Sequence, residues 1–260
     1  MVLALSESEK SKFTAAKLAA AYIKSGMKVG LGTGSTSEWL VRHLGTMVVE
    51  EGLDIVAVPT SFRTAELAIS LGIKTTTLEK AIWLDLTIDG TDEFDKNFNL
   101  IKGGGGALLR EKIVATASRK VIIIADKSKD VTKLGNFALP IEIIPFGSRS
   151  TQILIEAKLK NLGYKTFDIK LRQNEGVSFV TDEGNYILDT NLGEISNPKK
   201  LTEDLNNIPG VVENGLFVDI CETVIVGSGN GVGEVLTLSD GKVVAEKAQH
   251  AQDLYYVSGK

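Results

Sequence analysis

Cysteine is nearly missing from this 260-residue chain: Cys221 stands alone, so no intramolecular disulfide can form and a reducing compartment is expected. Histidine is almost as scarce. With only His43 and His250 beside that thiol, a Cys/His metal cage cannot be assembled. Five prolines against 26 glycines leave little room for Pro-rich linkers and favour glycine turns. No apolar run approaches the roughly 18 residues of a membrane span, and the stretch Val2 to Leu5 is too short for a signal-peptide core. A cytoplasmic protein without a membrane partner is therefore expected. Positive charge does not dominate either; a net charge of −4 argues against broad nucleic-acid binding, so an anionic ligand would have to be held by local lysines. At 43% hydrophobic and 24% charged residues the composition excludes wholesale disorder, and the length suits one to two domains of about 150 residues.

Strands and helices alternate over the first half. Ser6 followed by Glu9 is a capping-box pattern opening an alanine-rich helix that Gly26 stops. A strand over Met27 to Leu31 runs into a glycine loop and a helix ending at Gly45. A strand over Asp54 to Val58, a helix over Ser61 to Leu71 and a strand over Trp83 to Ile88 follow. A helix from about Leu108 to Ser118 and a strand over Val121 to Ala125 complete a pattern that implies a parallel sheet covered on both faces.

From about Asn136 the texture changes. Strand Leu139 to Ile144, helix Ser148 to Leu162 and strand Tyr164 to Leu171 precede two short strands, Val177 to Thr181 and Tyr186 to Thr190, which the turn Asp182-Glu183-Gly184-Asn185 should join as a hairpin. The helix Pro198 to Asn207 then leads to a strand, Thr223 to Val226, expected to return to the first sheet. This gives an α/β fold, with residues 1–134 plus 207–260 as a Rossmann-like domain and 135–206 as a small α+β domain. The last 20 residues show little periodicity and receive no function.

Ligands in open α/β sheets bind beyond the carboxyl ends of the strands, and three loops there are chemically loaded. In Gly30-Leu31-Gly32-Thr33-Gly34-Ser35-Thr36, the glycines let the backbone approach an anion, and the helix-start amides with the Ser35 and Thr36 hydroxyls can hold phosphate oxygens. Neither a dinucleotide fingerprint nor a Walker A sequence is present, and Ser35 as a simple cap is the competing reading. In Asp89-Gly90-Thr91-Asp92-Glu93, three acids in five residues can accept hydrogen bonds from sugar hydroxyls. A solvated acidic turn or a divalent-metal site are the alternatives. In the third loop, Lys102 precedes Gly103, Gly104, Gly105 and Gly106, a backbone cradle behind a cation able to stabilise an oxyanion. Glu111, in the first turns of the next helix, points back toward that loop as a general-base candidate, against the reading of an ordinary exposed Glu.

Taken in this order and spacing, GTGST, DGTDE and IKGGGGALLREK resemble type A ribose-5-phosphate isomerase. The similarity continues through Ala125 to Lys129, Lys133-Leu134-Gly135, Ile144-Pro145 and Ile208 to Val212, covering roughly residues 9 to 235. The resemblance implies a Rossmann-like domain with a smaller inserted, ferredoxin-like α+β domain, a homodimer or homotetramer, and neither metal nor organic cofactor. It places the substrate, a small sugar phosphate, on Thr33, Gly34, Ser35, Thr36, Asp89, Gly90, Thr91, Asp92, Lys102, Gly103, Gly104, Gly105 and Lys129, and the catalytic base on Glu111. Thr91 departs from the family's usual Ala, and the tail after about Lys242 has no counterpart.

The implied reaction interconverts D-ribose 5-phosphate and D-ribulose 5-phosphate through an enediolate. Glu111 would shuttle the proton and Lys102 with the loop amides would stabilise the oxyanion. Asp89 and Asp92 would bind hydroxyls and help open the ring. Lys129 and Lys12 are both open as phosphate ligands. A non-catalytic sugar-phosphate-sensing domain is the rival from another class; an amino-sugar-phosphate deaminase would be expected to use a histidine near the acids, and neither histidine is so placed.

Overall fold

Strands Leu86–Gly90 and Val121–Asp126 are buried at every position, as parallel strands covered on both faces must be. They form the centre of an eight-stranded sheet in the computed structural model, which describes residues 5–239 and 241–249. Two units emerge, the first comprising Met1–Thr91, Ile113–Asp130 and Ile220–Lys260, the second Asp92–Lys112 and Val131–Asp219. Against the boundaries expected from sequence, the second unit also takes in 92–112, 131–134 and 207–219.

In the first unit the sheet runs Lys242–Gln249, Val232–Ser239, Thr223–Gly227, Val121–Asp126, Leu86–Gly90, Lys28–Leu31, Val56–Pro59, Lys74–Thr75. All but the first two are parallel, and their chain order is that of a doubly wound dinucleotide-type sheet. The order reverses between Lys28–Leu31 and Leu86–Gly90, which is where such sheets bind ligands. Helix Glu7–Ala20 buries Ala15, Ala16, Ala19 and Ala20. Its small face lies so close to the sheet that a Cβ at Gly227 would stand 2.5 Å from the Ala15 nitrogen. Ser6 caps this helix by accepting from the Glu9 N–H at 3.2 Å, while the Glu9 carboxylate turns to Lys12 and Trp39, both at 2.7 Å. These bonds hold the Glu9 carboxyl below its ordinary value, the Lys12 hydrogen bond contributing most.

Gly45 does not end its helix. The helix runs Ser35–Glu50, and a Cβ at Gly45 would lie 2.7 Å from the Leu71 Cβ, so this glycine serves the contact between two helices rather than a stop. The left-handed glycine that follows the true end is Gly52, at φ +71°. The tail needs a second correction: Val232–Ser239 and Lys242–Gln249 pair as an antiparallel hairpin. Lys242–Gln249 is exposed on both faces, so no apolar alternation marked it. The first residues of the N-terminal apolar stretch, His250 and the remaining tail lie outside the described residues.

The second unit holds a four-stranded antiparallel sheet in the order Val211–Asn214, Leu139–Ile143, Tyr186–Asn191, Asp168–Leu171. With helices Ser148–Asn161 and Pro198–Asn206 this is a β-α-β-β-α-β, ferredoxin-like arrangement. Ile155, Leu159, Leu201 and Leu205 from the two helices share one core with Ile141, Ile143 and Leu188 of the sheet. The expected hairpin is corrected here. Tyr186–Asn191 pairs with Leu139–Ile143 and Asp168–Leu171, and Val177–Ser178 pairs instead with Gln173–Asn174. Glu175 and Gly176, both at positive φ, make that tighter turn, while Asp182 to Asn185 closes only a local loop through the Thr181 N–H bond to the Asn185 carbonyl.

Candidate active site

Each unit carries its own share of the sequence-predicted residues. In the first, Leu31 registers with Ile88 and Gly90 with Ile124, so the loop 32–34, Asp89 to Thr91 and the segment after Asp126 all leave the same carboxyl edge of the sheet. Gly34, at φ +115°, caps helix Ser35–Glu50 without any side-chain bond. The first-turn amides at Ser35 and Thr36 are thus donors of the kind that hold anions. Ser35 is inside the helix and does not cap it.

Asp89 is 2% exposed, and its Oδ1 accepts from the Thr33 N–H at 3.1 Å, the Ser37 hydroxyl at 3.2 Å and the Gly90 N–H at 2.7 Å. The loop can approach this closely because position 32 lacks a side chain; a Cβ there would run into the carboxylate and lie 2.6 Å from the Asp89 Cα. Thr33 directs its hydroxyl to Thr60, Ser61 and Thr64 at 2.7 to 3.1 Å. Lys129 ends the short 3-10 helix Lys127–Lys129, whose N-cap Asp126 accepts from the Ser128 N–H at 2.8 Å.

In the second unit Lys102 and Glu111 meet. Their side chains are 3% and 4% exposed, with Nζ 3.2 Å from Oε1. Glu111 lies in the first turn of helix Leu108–Thr116, and Lys102 follows strand Leu100–Ile101 with its ammonium 5.5 Å from the Phe217 ring centroid. The residues flanking Glu111 are tied down too: Arg110 pairs with Asp182 and Glu183, and Lys112 reaches Glu213 at 2.8 Å and the Asn214 carbonyl at 2.7 Å. Burial pushes the Lys112 ammonium below its ordinary value, with Glu213 opposing.

Gly103 and Gly106 adopt φ +108° and +80°, which bends the glycine loop so that the Gly104 N–H donates to Asp92 Oδ2 at 2.7 Å. Gly104 and Gly105 are exposed. Glu93, the third acid of its motif, is structural: its two oxygens accept from the Gly135 and Phe137 N–H groups at 2.7 and 2.6 Å. Among the described residues no group of three His, Cys, Asp or Glu side chains is arranged to hold a metal ion. Nor is any of their helices long and apolar enough to cross a membrane.

Two contributors escaped the sequence reading. Ser37 received no role from the sequence, although a hydroxyl in the first turn of a helix beside a strand-end aspartate is a usable signal. Arg172, which bonds the Gly103 carbonyl, lies 69 residues from it and gave no signal.

Comparison with known proteins points to a single family. A family model described as ribose 5-phosphate isomerase A (phosphoriboisomerase A) matches residues 56–231. The ribose-5-phosphate isomerase A of Ruegeria sp. strain TM1040 is 57% identical over 243 residues, 94% of this chain and 93% of that protein. Among solved structures, the ribose 5-phosphate isomerase of Plasmodium falciparum matches with a TM-score of 0.79 at 39% identity, covering 94% of this chain and 99% of that one. A D-ribose-5-phosphate isomerase solved in complex with phospho-erythronic acid also gives 0.79, at 35% identity over 95% of this chain and 100% of that one.

Proposed function

The chain belongs to the ribose 5-phosphate isomerase A family, and from that premise we propose that Glu111 carries the proton as D-ribose 5-phosphate and D-ribulose 5-phosphate interconvert. The observation that carries this assignment is the buried Lys102–Glu111 pair, a carboxylate fixed beside an ammonium with water largely excluded from both. Asp89 and Asp92 take sugar hydroxyls and move the ring hydroxyl proton as the furanose opens. Glu111 removes the hydrogen from C2 of the open aldose, leaving an enediolate across C1 and C2. Lys102 and the glycine-loop amides stabilise the oxyanion, the hydroxyl proton passes from O2 to O1, and Glu111 returns its proton to C1. No atom is gained or lost, so one carboxylate serves as base and then as acid.

The substrate phosphate is assigned to the amides and hydroxyls at Ser35 and Thr36, with Gly34, Gly90 and Thr91 shaping the approach. Thr33 contributes by holding Asp89. Lys129 supplies positive charge to the same anion, with Lys12, whose ammonium bonds Glu9, the alternative. The protein is assigned to the cytoplasm as a homodimer or homotetramer, which light scattering distinguishes. Membership of an isomerase family disfavours the sensing-domain reading.

Glu111→Gln tests the assignment, because it keeps the side-chain volume but cannot accept a carbon-bound proton. A folded variant should lose about 10²–10⁴ in kcat. It should also incorporate almost no deuterium at C2 from D₂O, while its affinity for phospho-erythronic acid changes by less than about tenfold. Exchange at the wild-type rate would mean that another group is the base.

A further inference from the structure

Arg172 sits outside every loop that carries the proposed chemistry, yet its guanidinium is turned onto one of them. Nη1 donates to the Gly103 carbonyl at 2.8 Å and the Gly104 carbonyl at 3.3 Å. The opposite side of the same fork is held by Asp189, which accepts from Nε at 2.9 Å and from Nη2 at 2.5 Å. Phe179 covers the group, with its ring centroid 5.8 Å away. The same ring fills the space a side chain at Gly106 would need.

A trans peptide is planar, and its N–H points opposite to its C=O. Fixing the Gly103 and Gly104 carbonyls on Arg172 therefore fixes the N–H groups of Gly104 and Gly105 on the other side. The first of these already bonds Asp92 Oδ2 at 2.7 Å. The second is left as a donor directed away from the guanidinium. Glycines have no steric preference of their own to hold such an orientation, so an external clamp is required.

We propose that Arg172, held by Asp189, is a positioning residue of the isomerisation: it orients the glycine loop so that the Gly104 amide locks Asp92 and the Gly105 amide meets the developing oxyanion. Arg172 touches neither substrate nor reacting atoms. The proposal rests on the enediolate reading above. A planar, forked cation is what the task demands, because one face must grip a carboxylate while the other serves two carbonyls; a lysine has no such geometry.

The test separates positioning from simple stabilisation. Arg172→Met keeps the apolar stem and removes the fork, and Arg172→Lys keeps the charge without it. Both should lower kcat about 10- to 100-fold while KM moves less than about threefold, because the oriented amide acts on the transition state more than on the ground state. Inhibition by phospho-erythronic acid, whose carboxylate stands in for the enediolate oxygens, should weaken by a factor close to the loss in kcat. The idea is overturned by wild-type kcat in folded Arg172→Met, even with a lowered Tm, and equally by a rise in KM at unchanged kcat. If Arg172→Met does not fold, Asp189→Asn takes its place: it leaves the fork present but loosened, and kcat should drop about three- to tenfold at constant KM. Unchanged kcat there also overturns the proposal. Glu111→Gln run in the same assay keeps the two readings apart, since its full activity would remove the base assignment without altering the Arg172 ratio of kcat to KM effects.

Discussion

In the first unit the buried Asp89 accepts from neutral donors, the N–H groups of Thr33 and Gly90 and the hydroxyl of Ser37. In the second, Glu111 faces the ammonium of Lys102, Arg172 faces Asp189, and Lys112 faces Glu213. The difference decides how each unit fails. Neutral donors from a tight loop depend on backbone approach, so steric change is what breaks them. Paired charges depend on each other, and for the buried Lys102–Glu111 pair removing one strands its partner in a poorly solvating interior.

Lys102→Met should produce the largest effect, because the cation proposed to stabilise the oxyanion is lost and the Glu111 charge is left in the interior. Turnover should fall about 10²–10³-fold, and the fold should lose about 3–5 kcal/mol by denaturant titration. Adding Glu111→Gln to that variant should restore part of the stability and none of the activity. A Lys102→Met protein with wild-type stability would show that the second unit is not governed by charge pairing.

Gly32→Ala probes the other side of the comparison without removing any charge. The added Cβ would press on Asp89 at 2.6 Å from its Cα, so the loop must move, at a cost of about 3 kcal/mol or more, together with weaker substrate binding. Gly45→Ala, remote from the site, should cost about 1–3 kcal/mol through its contact with Leu71 and leave kcat unaltered. Activity loss in Gly45→Ala matching that of Gly32→Ala would erase the distinction between loop geometry and general packing.

Glu142 sharpens the comparison, being an acid of the second unit that accepts from neutral donors, Thr181 Oγ1 and Asn185 Nδ2, both at 2.9 Å. Burial pushes its carboxyl above the ordinary 4.5, the two donors oppose this, and Glu183 and Glu213 add to it. The folded state therefore keeps this proton at pH values where the unfolded chain releases it. Its contribution is fully present below about pH 4.5 and declines as pH rises through the elevated folded value. The stability difference between wild type and Glu142→Gln should accordingly shrink or reverse as pH is raised from 4 to 8, a modest effect read from Tm. A pH-independent difference would remove Glu142 from the pH response. The smallest effect expected is none: dialysis against a chelator should leave turnover intact, and loss of activity restored by Mg²⁺ would reassign the Asp89 to Glu93 segment to metal binding.

Much of the first unit was legible because its signals are local. Ser61 and Ser6 accept from amides three residues on, and the glycine loop after Lys28–Leu31 opens its helix as its residues dictate. Gly45 misled because a glycine required by a neighbouring helix looks, in sequence, like one that ends a helix. The Val232–Ser239 hairpin was invisible because its outer strand has no buried face to impose alternation. In the second unit, the turn at Asp182 to Asn185 was real but paired no strands, since Tyr186–Asn191 found its partners farther off, in Leu139–Ile143, 43 to 51 residues earlier, and in Asp168–Leu171, 17 to 23 residues earlier.

The sequence by itself determined the alternation of strands and helices, the three loaded loops and the order in which they occur, because backbone propensity, capping and glycine conformation act over a few residues. Only the tertiary structure decided which charges share an interior, that Glu93 serves the Gly135 and Phe137 amides, and that Arg172 grips the glycine loop. The Glu93 and Arg172 contacts join residues 42 to 69 apart. Their formation depends on the free energy of packing the whole sheet, which spacing along the chain does not report.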